Sequence, residues 1–198
     1  MGRYAEALLA FDHALAGLPQ HLRAWTNRGR ALQALNRHEE AVASFDKALA
    51  VDKNCGDAHF NAALSLLTLE NLQRGFAEYE WRWKRTGMSD ARRSYRGRLW
   101  LGEFPLDRRT ILLPAEQGLG DTIQFVRYVP LLAQMGANVI LEVQPELKTL
   151  LSTASGVTSC HARGETLPAF DVYCPLGSLP LALKTEPSSI PATIPYLR

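Results

Sequence analysis

The feature that most constrains the fold of this chain is a repeat in its first half, with a spacing of 34 residues. Four small or apolar positions recur at that spacing, and they are Ala7, Phe11, Ala14 and Leu15, followed by Ala41, Phe45, Ala48 and Leu49. A second set recurs in the same way, from Trp25, Gly29 and Leu32 to His59, Ala63 and Leu66. Neighbouring members of each set lie three or four residues apart or are adjacent, which places them on one helix face. The sequence therefore predicts a stack of helix pairs that bury their apolar faces against one another.

The second unit of this repeat resembles the tetratricopeptide repeat. The residues that carry the resemblance are Trp25, Gly29, Leu32, Asn36, Ala41, Phe45 and Ala48. We expect Gly29 and Ala41 to let two antiparallel helices approach closely, and Trp25, Leu32, Phe45 and Ala48 to fill the seam between pairs. The resemblance covers residues 1–85, about two and a half repeats, and implies a protein or peptide partner in the repeat groove.

The match is imperfect at several positions. Arg28 stands where the family has an apolar residue, and Lys53 stands where it usually has proline. The third unit ends in an aromatic cluster in which Trp81 and Trp83 are two residues apart, so they do not share a helical face. We expect one tryptophan to close the helical stack and the other to reach an adjoining domain, with a simple capping helix as the alternative.

Composition sets broad limits on the function. The 198 residues are 46% hydrophobic with a formal net charge of +2, which suits one large domain or two small ones and gives no global attraction to nucleic acid or membranes. No apolar run approaches the roughly 20 residues that span a bilayer, and no signal-peptide pattern follows Met1. The three cysteines lack CxxC spacing, which indicates reduced thiols and no zinc site. These features predict a cytoplasmic protein.

Residues 86–105 form a predicted basic linker. A run of basic residues leads into it and continues through it, and Asp90 is the only acidic residue between the first and the last of them: Arg82, Lys84, Arg85, Arg92, Arg93, Arg96 and Arg98. A nucleic-acid surface that includes Arg92 and Arg93 is disfavoured, because few aromatic residues are interleaved and no nucleic-acid-binding fold pattern follows. Attraction of an anionic substrate such as a diphosphate is a further alternative to a solvated connector.

From residue 106 to residue 198 short apolar runs alternate with amphipathic stretches, which predicts a Rossmann-like parallel α/β half-domain. The predicted strands are 110–113, 139–143, 157–160 and 172–174, and the predicted helices are 121–135, bent at Pro130 and ended by Gly136, and 145–151. Right-handed crossovers place the loop 114–120 at the carboxyl edge of the sheet. The fold class is therefore a helical solenoid followed by a parallel α/β unit.

The segment 116–125, Glu-Gln-Gly-Leu-Gly-Asp-Thr-Ile-Gln-Phe, is the best candidate for chemistry. A glycine loop between a strand and a helix can bring backbone amides and a carboxylate to a polar ligand. A dinucleotide fingerprint needs glycine at position 123, which is Ile123, and a P-loop needs Gly-Lys-Ser/Thr, which is absent. Neither NAD nor ATP is indicated.

This segment and its surroundings resemble bacterial tetratricopeptide-repeat proteins with a glycosyltransferase-like domain, related to the heptosyltransferases of GT-B type. The matching stretches are 79–83, 100–103, 116–125, 127–128, 170–171 and 174–176. The resemblance implies two facing Rossmann-like domains, of which the N-terminal one forms the acceptor side and the other binds a sugar nucleotide. It also implies that Asp121 is the general base of an inverting transfer to a carbohydrate acceptor. Gly118 and Gly120 would let the backbone approach the ligand.

Other residues of the segment and its surroundings have alternative assignments. Candidate ligand contacts are Glu116, Gln117, Thr122 and Gln124. Asp121 or Thr122 is alternatively a helix cap, and Glu116 is alternatively solvated or paired with Arg127. His161 follows a strand without metal-ligand spacing, and Asp171 is favoured as a cap of the sheet edge. No metal site and no cofactor besides a donor sugar nucleotide are predicted.

The chain starts in the middle of a repeat, and a second Rossmann-like domain is missing. We therefore expect a fragment of a longer sugar transferase that is inactive alone, because half a cleft does not hold both reactants in line. The competing hypothesis is a non-catalytic scaffold for protein interactions. An exposed half-repeat over residues 1–20 also predicts self-association.

Overall fold

The computed structural model describes residues 2–85, 95–194 and 196–197. They divide into two compact units, with the boundary between Arg93 and Ser94. We call them the helical unit (residues 2–85) and the α/β unit (residues 95–197). The predicted fold class, a helical region followed by a parallel α/β unit, is confirmed.

The helical unit consists of consecutive helices joined by short turns. They are α1 (Gly2–Gly17), α2 (Leu22–Ala34), α3 (His38–Val51), α4 (Gly56–Thr68) and α5 (Leu72–Tyr79), and α5 continues as a 3-10 turn (Glu80–Lys84). The turns α2–α3 and α4–α5 are alike: Asn36 and Glu70 adopt left-handed φ angles of 58° and 59°. The next amide in each turn donates back to a helix carbonyl at 2.9 Å, from Arg37 to Leu32 and from Asn71 to Leu66. The repeat in the sequence therefore reappears as a repeat of backbone geometry.

Close approach of α2 and α3 depends on Gly29. A Cβ atom at Gly29 would lie 2.4 Å from Cε1 of Phe45, whose side chain is fully buried. Leu32 and Ala41 are also fully buried in the same cluster. The aromatic ring thus fills the space that the missing side chain leaves, and this contact joins the first helix of the pair to the second.

Two departures from the repeat pattern have a structural explanation. Arg28 lies between three helices, where its Nε donates to Asp12 Oδ1 at 2.6 Å and its Nη1 donates to Ser44 Oγ at 2.7 Å. Trp81 stacks on the ring of His59 at a centroid distance of 3.7 Å, which covers the end of α4 within the helical unit. At Arg28 polar contacts replace the apolar packing that is usual between repeat helices, and Trp81 packs by ring stacking.

The α/β unit is built on a parallel sheet with the strand order β1-β5-β2-β3-β4. Its strands are β1 (Arg98–Leu99), β2 (Thr110–Pro114), β3 (Asn138–Val143), β4 (Val157–Ala162) and β5 (Val172–Tyr173). The four predicted strands are present with slightly different ends. β1 had no counterpart in the sequence-based prediction, because it lies within the predicted linker 86–105. Residues 86–94 of that range, with Arg92 and Arg93, lie outside the described residues.

The segment around β1 is joined to the sheet by backbone hydrogen bonds, and a buried indole follows it. β1 pairs with β5, and the amide of Trp100 donates to the carbonyl of Tyr173 at 2.9 Å. Trp100 is almost fully buried, and its Nε1 donates to the carbonyl of Phe104 at 2.9 Å. Residues 98–100 therefore belong to the sheet rather than to a solvated connector.

The helices of the α/β unit are short. They are α6 (Leu119–Phe125), α7 (Val129–Gln134), α8 (Lys148–Leu151) and α9 (Leu179–Ala182), with 3-10 turns at Val126–Tyr128, Pro145–Leu147, Leu176–Ser178 and Pro187–Ser189. The prediction of one bent helix over 121–135 was wrong in form, because a 3-10 turn separates α6 from α7 and Pro130 falls in the first turn of α7. Proline is tolerated there since that turn lacks intrahelical partners for its amides. Gly136 adopts φ 83° after α7, in agreement with a left-handed cap.

The order of the strands creates a switch point next to β2. The chain runs from β2 to β3 and β4 on one side and then returns to β5 on the other side of β2. The loops after β2 and β5 therefore leave the same edge of the sheet at the point where the strand order reverses, which in open α/β sheets is the usual place for a ligand. Across the described residues, none of the helices has the length and apolar character that a bilayer span requires.

Candidate functional site

The loop 114–118 between β2 and α6 is the meeting point of the loops that follow four strands. From β3, the side-chain Nε2 of Gln144 donates to the carbonyl of Gln117 at 2.8 Å. From β4, the guanidinium of Arg163 donates to the carbonyl of Ala115. From the turn after β5, the amide of Gly177 donates to Glu116 Oε1 at 3.2 Å. The carboxyl edge of the sheet therefore holds one continuous polar surface, which we call the edge site.

The side chain of Gln144 fixes the conformation of the edge site by joining two of its segments. It is buried, with 9% of its surface exposed, and Thr122 Oγ1 donates to its Oε1 at 3.0 Å. Its amide therefore connects the strand end of the loop, through Gln117, with the first turn of α6, through Thr122. A buried amide with both ends paired holds its neighbours in one arrangement.

Asp121 occupies the third position of α6, not the position before the helix. Gly118 is the residue that precedes the helix, and its amide donates to Asp121 Oδ2 at 3.1 Å. The alternative interpretation of Asp121 as a helix cap agrees with this contact, although α6 begins two residues earlier, at Leu119. Its side chain is half-buried and lies at the rim of the edge site.

Neither the backbone conformation nor the packing of the loop requires glycine at its two glycine positions. Neither Gly118 nor Gly120 has a positive φ angle. A Cβ atom at Gly120 would meet nothing within 4 Å, and one at Gly118 would meet only Asp121 Oδ2 at 3.4 Å, an ordinary contact. Both residues are exposed. Their small size therefore leaves open space over the loop without contributing to its folding.

The remaining predicted site residues are placed as follows. Glu116 contacts the amide of Gly177 as described, whereas Arg127 donates to the carbonyl of Pro191 at 3.3 Å and lies over the ring of Tyr196. The pairing of Glu116 with Arg127 is therefore not formed. Gln124 is exposed on α6.

Two further candidates lie on strands or at their starts. His161 lies on β4 opposite Glu142 of β3, and its Nε2 is 3.1 Å from Ser159 Oγ. Asp171 Oδ2 accepts from the amide of Thr110 at 2.8 Å, at the amino edge of the sheet and therefore away from the edge site. Its interpretation as a cap agrees with this contact.

Sequence reasoning missed three polar residues near the edge site. Glu142 is buried in β3 and accepts a hydrogen bond from Tyr95 Oη at 2.6 Å. Gln144 and Arg163 follow β3 and β4 directly. A signal was present, because Glu142 interrupts an apolar strand and the other two residues stand where polar side chains of parallel strands converge.

The turn after β4 is held by a second set of contacts. Lys148 Nζ lies 2.7 and 2.8 Å from the two carboxylate oxygens of Glu165, and the amide of Ala162 donates to Glu165 Oε2 at 3.0 Å. Hydrogen bonding from Lys148, followed by that from the amide, holds the pKa of Glu165 below its usual range. Burial raises the pKa of the Cys160 thiol in the same strand, so this cysteine is not an activated nucleophile. Within the described part of the chain, no cluster of histidine, cysteine and carboxylate side chains has the arrangement of a metal site.

The helical unit contains a separate groove along α2 and α4, which we call the repeat groove. Its volume is about 610 Å³, and it is lined by Leu22, Arg23, Thr26, Asn27, Arg30, Cys55, Asp57, Asn61 and Arg85. Asn27 and Asn61 occupy the same position in consecutive repeats. Asn61 Nδ2 donates to the backbone carbonyl of Asp57 at 2.7 Å. The backbone carbonyl of Asn61 accepts from Gln33 Nε2 at 2.8 Å. The wall that α4 contributes is therefore fixed by internal hydrogen bonds.

Charge is unevenly distributed in the repeat groove. Arg85 has a carboxylate neighbour, because its Nε lies 3.7 Å from Asp57 Oδ1. For Arg23, Asn27 and Arg30 the described residues provide no side-chain hydrogen bond or ion pair. The groove thus offers two guanidinium groups and one amide to a ligand.

Comparisons with known proteins support the assignment of the helical unit. Residues 22–55 match the tetratricopeptide repeat family. The chain is 31% identical to the protein FlbA of Caulobacter vibrioides over 134 residues, which is 66% of this chain and 22% of FlbA. It therefore spans about a fifth of the length of the curated relative that it matches. The helical unit contains tetratricopeptide repeats, a class of helical repeat that mediates protein–protein interaction.

Three solved structures are similar to parts of the chain. A structure of MamA MSR-1 C2 has a TM-score of 0.38 at 24% identity over 40% of this chain and 45% of its own. The first tetratricopeptide domain of Spaghetti (RPAP3), bound to an HSP90 peptide, has a TM-score of 0.41 at 22% identity. This match covers 42% of this chain and 66% of the Spaghetti chain. A Thermobaculum terrenum O-GlcNAc transferase mutant has a TM-score of 0.40 at 11% identity. This match covers 81% of this chain and 38% of the transferase chain.

Proposed function

We propose that the helical unit binds an extended, acidic peptide segment of a partner protein in the repeat groove. The observation that carries this proposal is that Arg23 and Arg30 line the groove with no ion-pair partner in the described part of the chain. Arginine forms paired hydrogen bonds with carboxylates, so a peptide rich in Asp and Glu complements these side chains. The unpaired amide of Asn27 suits a peptide backbone, because it both donates and accepts.

The double substitution Arg23→Gln and Arg30→Gln is expected to weaken binding of an acidic peptide at least tenfold. Each substitution removes one partly exposed charge pair with the ligand, and a tenfold change corresponds to about 1.4 kcal/mol. Fluorescence anisotropy with a labelled Glu- and Asp-rich octapeptide measures the dissociation constant, and affinity should fall as salt is raised.

Two controls make this experiment specific. The first control is the double variant Arg3→Gln and Lys47→Gln. It loses the same charge from the helical unit, but at positions outside the repeat groove. These substitutions should leave the dissociation constant within about twofold, since screened charges outside the groove act weakly. Equal weakening by both pairs of substitutions, or equal binding of a Lys-rich octapeptide, would contradict the proposal.

As a second candidate function, we infer that the α/β unit forms the acceptor side of a sugar-transfer cleft in a longer inverting glycosyltransferase, with Asp121 as the base. The supporting observation is the edge site itself, in which a carboxylate lies at the rim of the switch point beside two glycines without a structural role. A transfer of this kind needs a base near the acceptor hydroxyl and open space for the sugar. The sugar-nucleotide donor would be bound by a further domain. Glu116, Gln117, Thr122 and Gln124 remain candidate ligand contacts.

In a longer parent protein that transfers sugar, Asp121→Asn is expected to lower turnover by about 10²- to 10⁴-fold, the usual contribution of a general base. Asparagine still accepts a hydrogen bond from the amide of Gly118, so the melting temperature should change little. Asp107→Asn is the control, because Asp107 is exposed at the opposite edge of the sheet, just before β2.

Gly120→Ala separates ligand access from folding. The added methyl group meets nothing within 4 Å and lies in a helix, so it should stabilise the protein by up to about 1 kcal/mol. If the loop approaches a sugar closely, the same methyl group should reduce turnover. An active parent in which Asp121→Asn and Gly120→Ala both leave turnover unchanged would exclude this function for the edge site.

A further inference from the structure

One face of α1 carries an apolar stripe with the spacing of a coiled coil. Its members follow one another at intervals of three, four, three and four residues, and they are Tyr4, Ala7, Phe11, Ala14 and Leu18. The amide of Leu18 donates to the carbonyl of Ala14 at 2.9 Å, so helical hydrogen bonding reaches the last member. In paired helices this spacing forms the narrow apolar contact line between the two partners. We call these five residues the α1 stripe.

The α1 stripe is open, whereas the equivalent positions of α3 are covered. Phe45 is fully buried, because α2 packs closely on its ring at Gly29. Phe11, 34 residues earlier, is only half-buried. Ala14 is exposed, although its counterpart Ala48 is fully buried. The same apolar pattern is therefore satisfied by packing in α3 and left accessible in α1.

The two ends of the α1 stripe make it longer than a helix pair of the repeat requires. Tyr4 and Leu18 are 51% and 63% exposed. The positions 34 residues later hold His38 and Asp52, so the covered face of α3 ends in polar residues. Contiguous exposed apolar surface of this kind marks a place where another surface binds. The α1 stripe therefore suits a partner that follows the whole length of the helix.

Large and small residues alternate along the α1 stripe, which makes it complementary to an antiparallel copy of itself. In that arrangement Phe11 faces Ala14 of the second copy, and Leu18 faces Ala7 of the second copy. Each layer then sets a large side chain against a methyl group, as an aromatic ring fills the space over a glycine between α2 and α3. A parallel copy would instead oppose large residues with large ones and leave gaps between the alanines.

Charge favours the same direction of pairing. Over its described length, Gly2–Gly17, α1 has no acidic residue in the first turn and no basic residue in the last turn, so neither end of its dipole is compensated. Arg3 is exposed at the amino end. In an antiparallel pair it lies toward the carboxyl end of the second α1, where the last carbonyls carry partial negative charge. A parallel pair would bring two Arg3 side chains together.

We propose that the α1 stripe is the interface between two copies of this chain, paired through antiparallel α1 helices about a two-fold axis. One helix from each copy gives a contact smaller than the roughly 800 Å² per partner of a standard interface, so the dissociation constant is expected to be micromolar. The repeat groove is lined by α2 and α4 and is not part of this contact. A dimer therefore carries two repeat grooves, and a partner with two binding segments gains avidity from it.

The test is the oligomeric state of the 198-residue chain. Sedimentation equilibrium between about 5 and 500 μM covers the expected dissociation constant. Ala14→Glu places a charge in the contact line and should raise the dissociation constant at least about tenfold. The chain should still fold, because the position is exposed and glutamate is a good helix former. Ala16→Glu is the matched control: it makes the same change on the same helix, at an exposed position outside the α1 stripe, and should leave the dissociation constant within about twofold.

A second measurement tests the direction of pairing. In a mixture of ¹³C-labelled and unlabelled chain, isotope-filtered nuclear Overhauser spectra should connect the Phe11 ring with the Ala14 methyl group of the other copy. A dimer that instead connects Tyr4 with Tyr4 of the other copy would contradict the antiparallel arrangement.

Three results would overturn the interface itself. The first is a chain that stays monomeric at about 500 μM, which would leave the α1 stripe to a helix of a different protein. The second is a dimer that Ala14→Glu leaves intact. The third is equal dissociation by Ala14→Glu and Ala16→Glu, because a general effect of added charge would then explain the loss. All three are independent of peptide binding and of sugar transfer.

Discussion

Phe45→Ala is expected to lower the free energy of unfolding of the helical unit by about 3–5 kcal/mol, the usual cost of truncating a buried phenylalanine. The ring is fully buried and belongs to a cluster with Leu8, Leu32 and Leu66 from the neighbouring helices. Its loss leaves a cavity that α2 and α3 cannot close without moving the backbone at Gly29. Hydrogen exchange of the α2 and α3 amides measures this change locally, without assuming that both units unfold together. Leu9→Ala, at a leucine that is 70% exposed on α1, should cost less than about 1 kcal/mol.

A double-mutant cycle tests the specific contact. Gly29→Ala alone should destabilise the unit by about 1–3 kcal/mol, because its methyl group would overlap the Phe45 ring, which has no free space to move into. In the Phe45→Ala background the same methyl group enters the cavity, so its cost should disappear or change sign. Strictly additive effects would show that the contact between Gly29 and Phe45 does not determine the spacing of α2 and α3.

Gln144→Leu is expected to cost about 1–3 kcal/mol of stability in the α/β unit and to release the loop 114–118. Leucine has a similar volume, but it leaves the carbonyl of Gln117 without its donor, and each buried polar group that loses its partner costs about 1–3 kcal/mol. Thr122 is less affected, because its hydroxyl also reaches the carbonyl of Gly118 at 3.1 Å. Faster hydrogen exchange at residues 117–122 should accompany the fall in melting temperature.

Gln134→Leu is the matched control for that experiment, since Gln134 is exposed at the end of α7. It makes the same chemical change away from the edge site and should shift stability by no more than about 0.5 kcal/mol. If Gln144→Leu leaves the exchange of the loop unchanged, the buried amide does not hold the edge site together.

Much of the fold was predictable because local pattern and global packing agree. The 34-residue spacing specifies the helix pairs, and the same offset relates the left-handed turn residues Asn36 and Glu70. In the α/β unit four apolar runs predicted four of the strands, and the signal was clearest for β2 and β3, which are buried on both faces over most of their length. β1 was missed, since two residues within a basic stretch carry no periodicity. Its position depends on hydrogen bonds to β5, which are not encoded locally.

The candidate site was predictable only in part, for a related reason. Glycine and acidic residues after an apolar run identified the loop, but the partners of that loop come from residues 144, 163 and 177, which are distant in sequence. Their convergence follows from the order of the strands. The sequence alone does not specify on which side of β2 the last strand lies. The division between α6 and α7 was likewise missed, because Pro130 predicts a bend but not the 3-10 turn that precedes it.

The equivalent positions of Asn27 and Asn61 have a consequence for the spacing of contact groups in a bound peptide. Asn27 and Asn61 occupy equivalent positions on α2 and α4, one repeat apart, and packed helices are separated by about 8–10 Å. An extended peptide advances about 3.3 Å per residue. For the acidic peptide proposed above, the groups that contact both repeats are therefore expected about three residues apart, so the groove would select sequence spacing as well as charge.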